Sequence, residues 1–177
     1  MVEVEPNFKF KIVLLGNPGV GKTSLVYRFI ENKFRSDYKS TLGVNLLKKE
    51  IKYNEKVISL QIWDLGGQES FRSLRKLYLE GSHGGFLVFD LTNKKSFEDL
   101  PEWMGDFKNI RGELPLILIG NKRDLSDSVQ VEDGQVEEFA KTHDLTHYIT
   151  SAKTGEGVED AFLELTKSIL ELTVTNV

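Results

Sequence analysis

An eight-residue segment near the start of the chain has the spacing of a phosphate-binding loop. Residues 16–23 read GNPGVGKT and match GxxxxGKT, between an apolar run at 10–15 and a helix-like run at 24–30. In this context the glycines let backbone N–H groups turn toward phosphate oxygens, and the helix offers its positive end to the same anion. We expect this phosphate loop to bind phosphates, with Lys22 reaching the terminal ones and the Thr23 hydroxyl binding Mg²⁺. The alternative is a glycine turn followed by Lys-Thr by chance.

An acidic residue ends a later strand-like run. Asp64 closes the run at 57–64 and is followed by LGGQE. A carboxylate at the carboxyl end of a strand, in a chain that carries GKT, is typical of the aspartate that holds Mg²⁺, usually through water.

Two further polar motifs, NKRD at 121–124 and SAK at 151–153, each follow a strand-like run. By itself, NKRD could equally be a charged surface turn whose asparagine caps a helix.

Alternating strand-like and helix-like segments must position these motifs. The predicted strands are 8–15, 44–53, 57–64, 85–90, 116–120 and 148–150, and the predicted helices are 24–30, 69–79, 96–110, 132–141 and 158–170. Such alternation predicts a three-layer α/β domain whose six-stranded sheet is mostly parallel, with one antiparallel edge strand and about five flanking helices. The antiparallel pair is the hairpin of the second and third strands. Ser96 is the candidate N-cap of the third helix.

The order of elements also predicts where a ligand binds. Ligands of such sheets lie beyond the carboxyl ends of the strands. The loops that begin at Gly16, Asp64, Asn121 and Ser151 all lie there, so we expect them to meet at one pocket, with the polar segment 31–43 as a loop beside it. The predicted division of the chain is a flexible N-terminus at 1–7, one domain at 8–171 and a C-terminal tail at 172–177.

Composition limits the other classes of function. The 177 residues suit one domain, and 23 basic and 27 acidic residues are interspersed, so nucleic acid is not expected as a partner. The absence of cysteine excludes disulfides, thiolate metal sites, thiol catalysis and a cysteine-linked lipid anchor in this chain. There is no signal-peptide pattern, and the apolar runs are too short to span a bilayer. We expect a cytoplasmic monomer, peripheral to membranes if the natural chain is longer, in which His83, His143 and His147 bind no metal.

Five motifs in this order resemble the Ras-like small GTPases. They are GxxxxGKT, Thr41, DLGGQ, NKRD and SAK, and the resemblance covers the chain from 8 to 170. The segments GQESFR, LGV and FDLT are similar to the Rab branch, whereas Leu65-Gly66 is similar to the Arf branch. The resemblance implies a P-loop NTPase G domain that binds GTP and GDP with Mg²⁺ and hydrolyses GTP. It further implies loops that bind effectors, exchange factors and GTPase-activating proteins in membrane traffic or signalling.

The resemblance assigns Asp124 to the N1–H and exocyclic amine of guanine, with Asn121 bracing the loop and Lys122 packing over the ring. A carboxylate accepts two hydrogen bonds from guanine but finds no matching donors in adenine, and such sites can discriminate by about 10⁴ or more. Phe34 would stack on the base, or else belong to the core at the end of the first helix. The implied nucleotide-contacting residues are Gly19, Val20, Gly21, Lys22, Thr23, Ser24, Phe34, Tyr38, Thr41, Gly67, Asn121, Lys122, Asp124, Ser151, Ala152 and Lys153.

The resemblance also assigns the catalytic groups. Gln68 is expected to position the attacking water, while Lys22 and Thr41 contact the γ-phosphate region. Gly67 would donate its N–H to the γ-phosphate, so hydrolysis would release Gly67 and Thr41 and loosen two loops. Tyr38 would close over the phosphates or face solvent. The implied Mg²⁺ ligands are Thr23, Thr41 and Asp64.

Pro18 departs from the family pattern. It has no N–H and a fixed φ where water, Gln68 and an incoming arginine would meet, so it either changes turnover or is accommodated without effect. Arg35 and Arg72 could reach the phosphates, but surface charge explains them better. Slow turnover is therefore expected.

Two other functions stay open. A pseudo-GTPase scaffold would hold nucleotide without useful turnover, although the catalytic set is intact. A P-loop kinase or ATPase would need adenine, against which NKRD argues, and a lid with paired arginines, which the sequence lacks. An effector-binding surface is also predicted. Its contributors are Trp63, Phe71 and Tyr78, with a core position as the alternative for Trp63.

Overall fold

A six-stranded sheet lies at the centre of the computed structural model, which describes residues 5–36, 41, 43–66 and 73–176. The strands are β1 (Phe8–Leu15), β2 (Val44–Tyr53), β3 (Lys56–Leu65), β4 (Gly84–Asp90), β5 (Leu116–Asn121) and β6 (Thr146–Ile149). Their order is β2-β3-β1-β4-β5-β6, and every neighbouring pair is parallel except β2 and β3. The predicted parallel sheet with one antiparallel edge strand is therefore confirmed.

Helices cover both faces of the sheet and complete three layers. They are α1 (Lys22–Glu31), α2 (Arg75–Leu79), α3 (Lys94–Glu98), α4 (Leu100–Arg111), α5 (Asp133–Thr142) and α6 (Val158–Thr175). One core joins α1 and α6 to the sheet, with Phe29 stacked on Phe162 at 4.1 Å between ring centroids. The other core joins α2, α4 and α5 to the opposite face, where Phe107 and Val136 are fully buried. Alternate residues of β1 point to opposite cores, as the period of a strand requires.

The hairpin between β2 and β3 turns through two residues. Asn54 and Glu55 have φ of 46° and 64°, which is the pair of positive values of a type I′ turn. Tyr53 pairs with Lys56, so β3 begins one residue earlier than the sequence predicts.

The third predicted helix, 96–110, is wrong at its start and in its continuity. The N-cap is Asn93, whose Oδ1 accepts the Ser96 N–H, whereas the Ser96 hydroxyl is buried and donates to the Asn93 carbonyl at 2.6 Å. The helix breaks at Asp99 and α4 restarts with Pro101 in its first turn. Proline has no N–H to bond the carbonyl four residues earlier, which explains the break. Counting α3 and α4 as one interrupted helix leaves five helices in the described part of the chain, as predicted.

Two further boundaries differ from the prediction. Helix α6 continues to Thr175, so most of the predicted tail at 172–177 is helical, and the hydroxyls of Thr173 and Thr175 donate to carbonyls four residues earlier. Of the helix predicted at 69–79, residues 75–79 form α2, and residues 67–72 lie outside the described ranges. Within those ranges no helix has both the length and the apolar character needed to cross a bilayer.

Candidate functional site

Loops at the carboxyl ends of β1, β3, β5 and β6 surround a cavity of about 450 Å³. The predicted site residues that line it are Gly19, Gly21, Lys22, Thr23, Ser24, Phe34, Thr41, Asn121, Lys122, Asp124, Ala152 and Lys153. Val20, Asp64 and Ser151 are buried behind this lining. Tyr38, Gly67 and Gln68 lie outside the described residues, as do Phe71 and Arg72. Motifs separated by more than 100 residues in sequence thus meet at one place.

The phosphate loop needs its glycines for space as well as for conformation. Gly19 and Gly21 have φ of 80° and 97°, in the left-handed region. A Cβ on Gly21 would stand 2.4 Å from Nδ2 of Asn121, and a Cβ on Gly16 would stand 2.1 Å from the Val88 carbonyl oxygen. The loop therefore packs directly on β4 and β5 at Gly16 and Gly21, whereas Gly19 has open space around it and is needed only for its conformation.

Lys22 begins α1 and is buried inside the curve of the phosphate loop. Its Nζ donates to the Gly16 carbonyl at 2.7 Å and to the Asn17 carbonyl at 3.0 Å. An ammonium has three N–H groups, so this arrangement leaves one for a ligand. Burial lowers the pKa of Lys22 to about 8, while the charge of Asp64 acts in the opposite direction.

Three oxygen-bearing side chains meet beside Lys22. The Thr23 hydroxyl donates to Oδ2 of Asp64 and lies 2.6 Å from the Thr41 hydroxyl. The other carboxylate oxygen, Oδ1 of Asp64, is buried without a hydrogen-bond partner among the described residues. Burial raises the pKa of Asp64, and the bond from Thr23 opposes that rise. A carboxylate with one unpartnered oxygen, next to two hydroxyls, is a set of hard oxygen donors that suits Mg²⁺.

This cluster could hold Mg²⁺ only with help from other oxygens. Within the described ranges no group of three or more His, Cys, Asp or Glu side chains is arranged to bind a metal ion. Mg²⁺ usually keeps several waters and is bound by one or two carboxylates together with substrate phosphates. The residues present fit a Mg²⁺ ion that is shared with a phosphate ligand.

Asn121 joins three parts of the cavity wall. Its Nδ2 donates to the Val20 carbonyl at 3.0 Å, and its Oδ1 accepts the Thr150 hydroxyl at 3.0 Å and the Ala152 N–H at 3.2 Å. The phosphate loop, the end of β5 and the loop after β6 are thereby held together through one buried amide. These bonds give the predicted role of Asn121 in loop bracing a geometric basis, whereas its contact with the base stays a prediction.

Asp124 and Lys122 are held by neighbouring side chains and backbone. The Ser151 hydroxyl donates to Oδ1 of Asp124 at 2.7 Å, which orients the carboxylate. Lys122 has φ of 72°, and its Nζ contacts Oδ2 of Asp90 at 2.8 Å and the Gly19 carbonyl at 2.7 Å. The lysine chain thus crosses from β5 to the phosphate loop along the cavity.

Sequence reasoning missed Arg28, which supports the SAK loop from α1. Its Nε donates to the Ala152 carbonyl at 2.8 Å and its Nη2 to the Lys153 carbonyl at 2.5 Å. A basic residue in the last turn of a helix is common, so no local pattern distinguishes Arg28. Only the fold brings it to a loop 124 positions later.

Four other residues with predicted roles lie within the described ranges. Phe34 is 40% exposed and lines the cavity, so the alternative that it belongs to the core is wrong. Tyr78 does not belong to a protein-binding surface, because it is buried and its hydroxyl accepts the N–H groups of Leu14 and Leu65. Trp63 is half-buried beneath Nζ of Lys11. Arg35 lies at the cavity edge, 3.4 Å from Glu31.

Comparison with known proteins identifies similar chains. The Ras family matches residues 11–171. Rab-4B of Rattus norvegicus is 39% identical over 165 residues, which cover 93% of this chain and 78% of that protein. Rab-4 of Dictyostelium discoideum is 39% identical over 167 residues, covering 94% and 82%. Rab-21 of Bos taurus is 40% identical over 165 residues, covering 93% and 74%.

Proposed function

This chain belongs to the Ras family as a Rab-like GTP hydrolase, and from that premise we propose that it is a molecular switch that uses Mg²⁺ and acts in membrane traffic. The observation that carries the proposal is the single cavity at which the phosphate loop, the Thr23–Asp64 cluster and the NKRD and SAK loops meet. One end of the cavity offers groups that can bind a base, and the other end offers groups that can bind phosphates. A guanine nucleotide fits that division.

The base end reads guanine through Asp124. Its carboxylate, oriented by Ser151, accepts the N1–H and the exocyclic amine, and adenine lacks this pair of donors. Lys122 and Phe34 both line the cavity and hold the two faces of the ring. The Ala152 N–H, whose bond to Asn121 is long at 3.2 Å, is shared with the guanine carbonyl.

The phosphate end stabilises charge and positions water. Lys22 donates its remaining N–H to the terminal phosphates, and the N–H groups of the phosphate loop surround the same oxygens. Mg²⁺, held by Thr23, Thr41 and Asp64, supplies charge neutralisation at the phosphate oxygens when it is bound. Gln68 orients the attacking water, and loss of the γ-phosphate releases Thr41 and Gly67.

The switch acts through exposed apolar side chains on β2 and around α2, the elements that follow Thr41 and the DLGGQ motif in the chain. Leu46 on β2 and Leu77 on α2 are 58% and 68% exposed, and Val44 and Leu74 are also exposed. The Gly66 N–H donates to the Gly43 carbonyl at 2.8 Å, which joins the segment before β2 to the segment after β3. Effectors, exchange factors and GTPase-activating proteins bind there to a monomer that associates with membranes peripherally. The three histidines take no part in metal binding.

Single-turnover hydrolysis of GTP with Mg²⁺ tests this function, with ATP as the control nucleotide and Gln68→Leu as the variant. We expect slow, GTP-specific release of phosphate by the wild type and a loss of about 10-fold or more in Gln68→Leu. Binding of GTP without hydrolysis by the wild type would replace the switch enzyme with a nucleotide-holding scaffold. Hydrolysis of ATP at a similar rate would remove Asp124 from base recognition.

A further inference from the structure

The side chain of Asn17, in the phosphate loop, does not line the cavity. It binds two residues at the start of helix α4. Its Nδ2 donates to Oδ2 of Asp99 at 2.8 Å, and its Oδ1 accepts the Trp103 Nε1–H at 2.8 Å. The backbone carbonyl of the same residue accepts from Nζ of Lys22 at 3.0 Å. Asn17 therefore links the ammonium that faces the phosphates to the first turns of α4.

The ring of Trp103 also packs against a buried arginine. The guanidinium of Arg75 lies 3.7 Å from the centroid of the Trp103 ring, and the two residues are 6% and 4% exposed. Nη1 of Arg75 contacts Oδ2 of Asp106 at 2.7 Å and Oε1 of Glu102 at 3.5 Å. Stacking on an aromatic face and pairing with carboxylates are the two ways in which a desolvated guanidinium is stabilised.

The two contacts of Trp103 join the phosphate loop to α2. Arg75 is the first residue of α2 and lies seven positions after Gln68, while Asn17 lies five positions before Lys22. The indole N–H serves Asn17 and the ring face serves Arg75. Only tryptophan offers both a ring face of this size and an N–H donor.

Resting on the proposed function, we infer that Asn17, Trp103 and Arg75 form one positioning unit for GTP hydrolysis, in which Trp103 couples the phosphate loop to α2. None of the three contacts the nucleotide in this assignment, so they act through Lys22 and through the chain that carries Gln68. Phosphoryl transfer depends mainly on placement, and a shift of about 1 Å can cost up to 100-fold in rate. Loss of either end of the unit should therefore slow hydrolysis more than it weakens binding.

A double-mutant cycle with Asn17→Ala and Arg75→Met tests the coupling. Each variant is measured for single-turnover GTP hydrolysis, GDP affinity and thermal midpoint. Trp103→Phe keeps a ring for Arg75 and removes the donor to Asn17, so it should behave like Asn17→Ala. Arg111→Met is the matched control, because its Nε donates to the Ser82 carbonyl at 2.9 Å from the last residue of α4.

We expect each single variant to lose about 10-fold in the hydrolysis rate, with GDP affinity within about threefold of wild type. The double variant should lose little more than either single one, because residues that act as a unit are not additive. If the rate losses of the two single variants multiply in the double variant, the coupling is overturned and the proposed function stands. The same holds if the rate losses follow the thermal midpoint and the GDP affinity. A wild type that hydrolyses no GTP would overturn both the function and the positioning unit.

Discussion

The buried position of Lys22 gives nucleotide binding a pH dependence. Because burial lowers the pKa of Lys22 to about 8, the nucleotide-free protein loses this charge as the pH rises through that value. A phosphate ligand needs the charged form, so binding above pH 8 must include uptake of a proton. We expect GDP affinity to be flat below pH 8 and to fall by up to about tenfold per pH unit above it.

The same lysine has the opposite effect on the stability of the nucleotide-free protein. Between pH 8 and the ordinary lysine pKa of 10.5, the unfolded chain binds one proton more than the folded chain, so the free energy of unfolding rises with pH. Calorimetric GDP titrations at pH 7 to 9 and urea unfolding measure the two trends. Lys22→Met should bind GDP weakly and lack this component of both slopes, whereas parallel slopes in variant and wild type would contradict the assignment.

Asp124 provides a prediction about base selection. Asparagine at this position replaces a carboxylate oxygen with a donor, which matches the extra carbonyl of xanthine instead of the exocyclic amine of guanine. We expect Asp124→Asn to lose on the order of 10⁴ in GDP affinity and to prefer xanthosine diphosphate. Competition between the two diphosphates measures this directly. Unchanged GDP affinity would show that Asp124 does not read the base.

At the scale of secondary-structure elements, Arg28 ties α1 to the SAK loop. Without its two charge-assisted bonds to the Ala152 and Lys153 carbonyls, that loop, which lines the cavity, loses its support from α1. We expect GDP to dissociate about tenfold faster from Arg28→Met, as measured by chase with excess GTP. Arg111→Met removes an arginine-to-carbonyl bond away from the cavity and should leave the rate unchanged. Equal rates in all three proteins would remove Arg28 from the site.

How far these elements could be predicted depends on where the signal lies in the chain. The phosphate loop could be predicted because its glycines, Lys22 and Thr23 stand within eight residues between a strand and a helix. Two local signals, the N-cap Asn93 at the start of α3 and Pro101 at the break before α4, explain the difference from the predicted helix at 96–110. Arg28 and Tyr78 were misjudged for another reason. Their partners lie 124 and 64 positions away, so only the assembled fold places them.

At the scale of the whole molecule, a bound nucleotide and Mg²⁺ should stabilise the fold through the carboxyl edge of the sheet. A ligand at about 100 times its Kd adds about 2.7 kcal/mol to the free energy of unfolding. Removal of Mg²⁺ with EDTA should reduce this gain in the wild type by weakening GDP binding. Thermal unfolding of the GDP complex, with and without EDTA, measures the difference.

Asp64→Asn separates the metal from the fold. Burial raises the pKa of Asp64, so its ionised form lowers stability, and this penalty is absent below the ordinary pKa and appears as the pH rises through the raised one. At neutral pH, nucleotide-free Asp64→Asn should therefore be at least as stable as the wild type, while its GDP complex should not respond to EDTA. Asp127→Asn, at an exposed position, is the control. A destabilised variant that still responds to EDTA would contradict the Mg²⁺ assignment.

The overall topology followed from the sequence, whereas the couplings across it did not. Alternation of strands and helices, with a hairpin at one place, leaves few ways to order a parallel sheet. The link from Asn17 through Trp103 to Arg75 joins three segments that no motif connects. Such contacts depend on how α2 and α4 pack, and packing is decided by the shapes of side chains from both elements together.

Both tryptophans of the chain lie against a cation. Nζ of Lys11 is 3.8 Å from the Trp63 ring, and the guanidinium of Arg75 is 3.7 Å from the Trp103 ring. Indole emission responds to a nearby charge and to solvent. Trp63 lies on β3, whose last residue Leu65 lines the cavity, and Trp103 donates to Asn17 of the phosphate loop. The unlabelled protein thus carries its own optical reporters, and its intrinsic fluorescence should follow nucleotide exchange in real time.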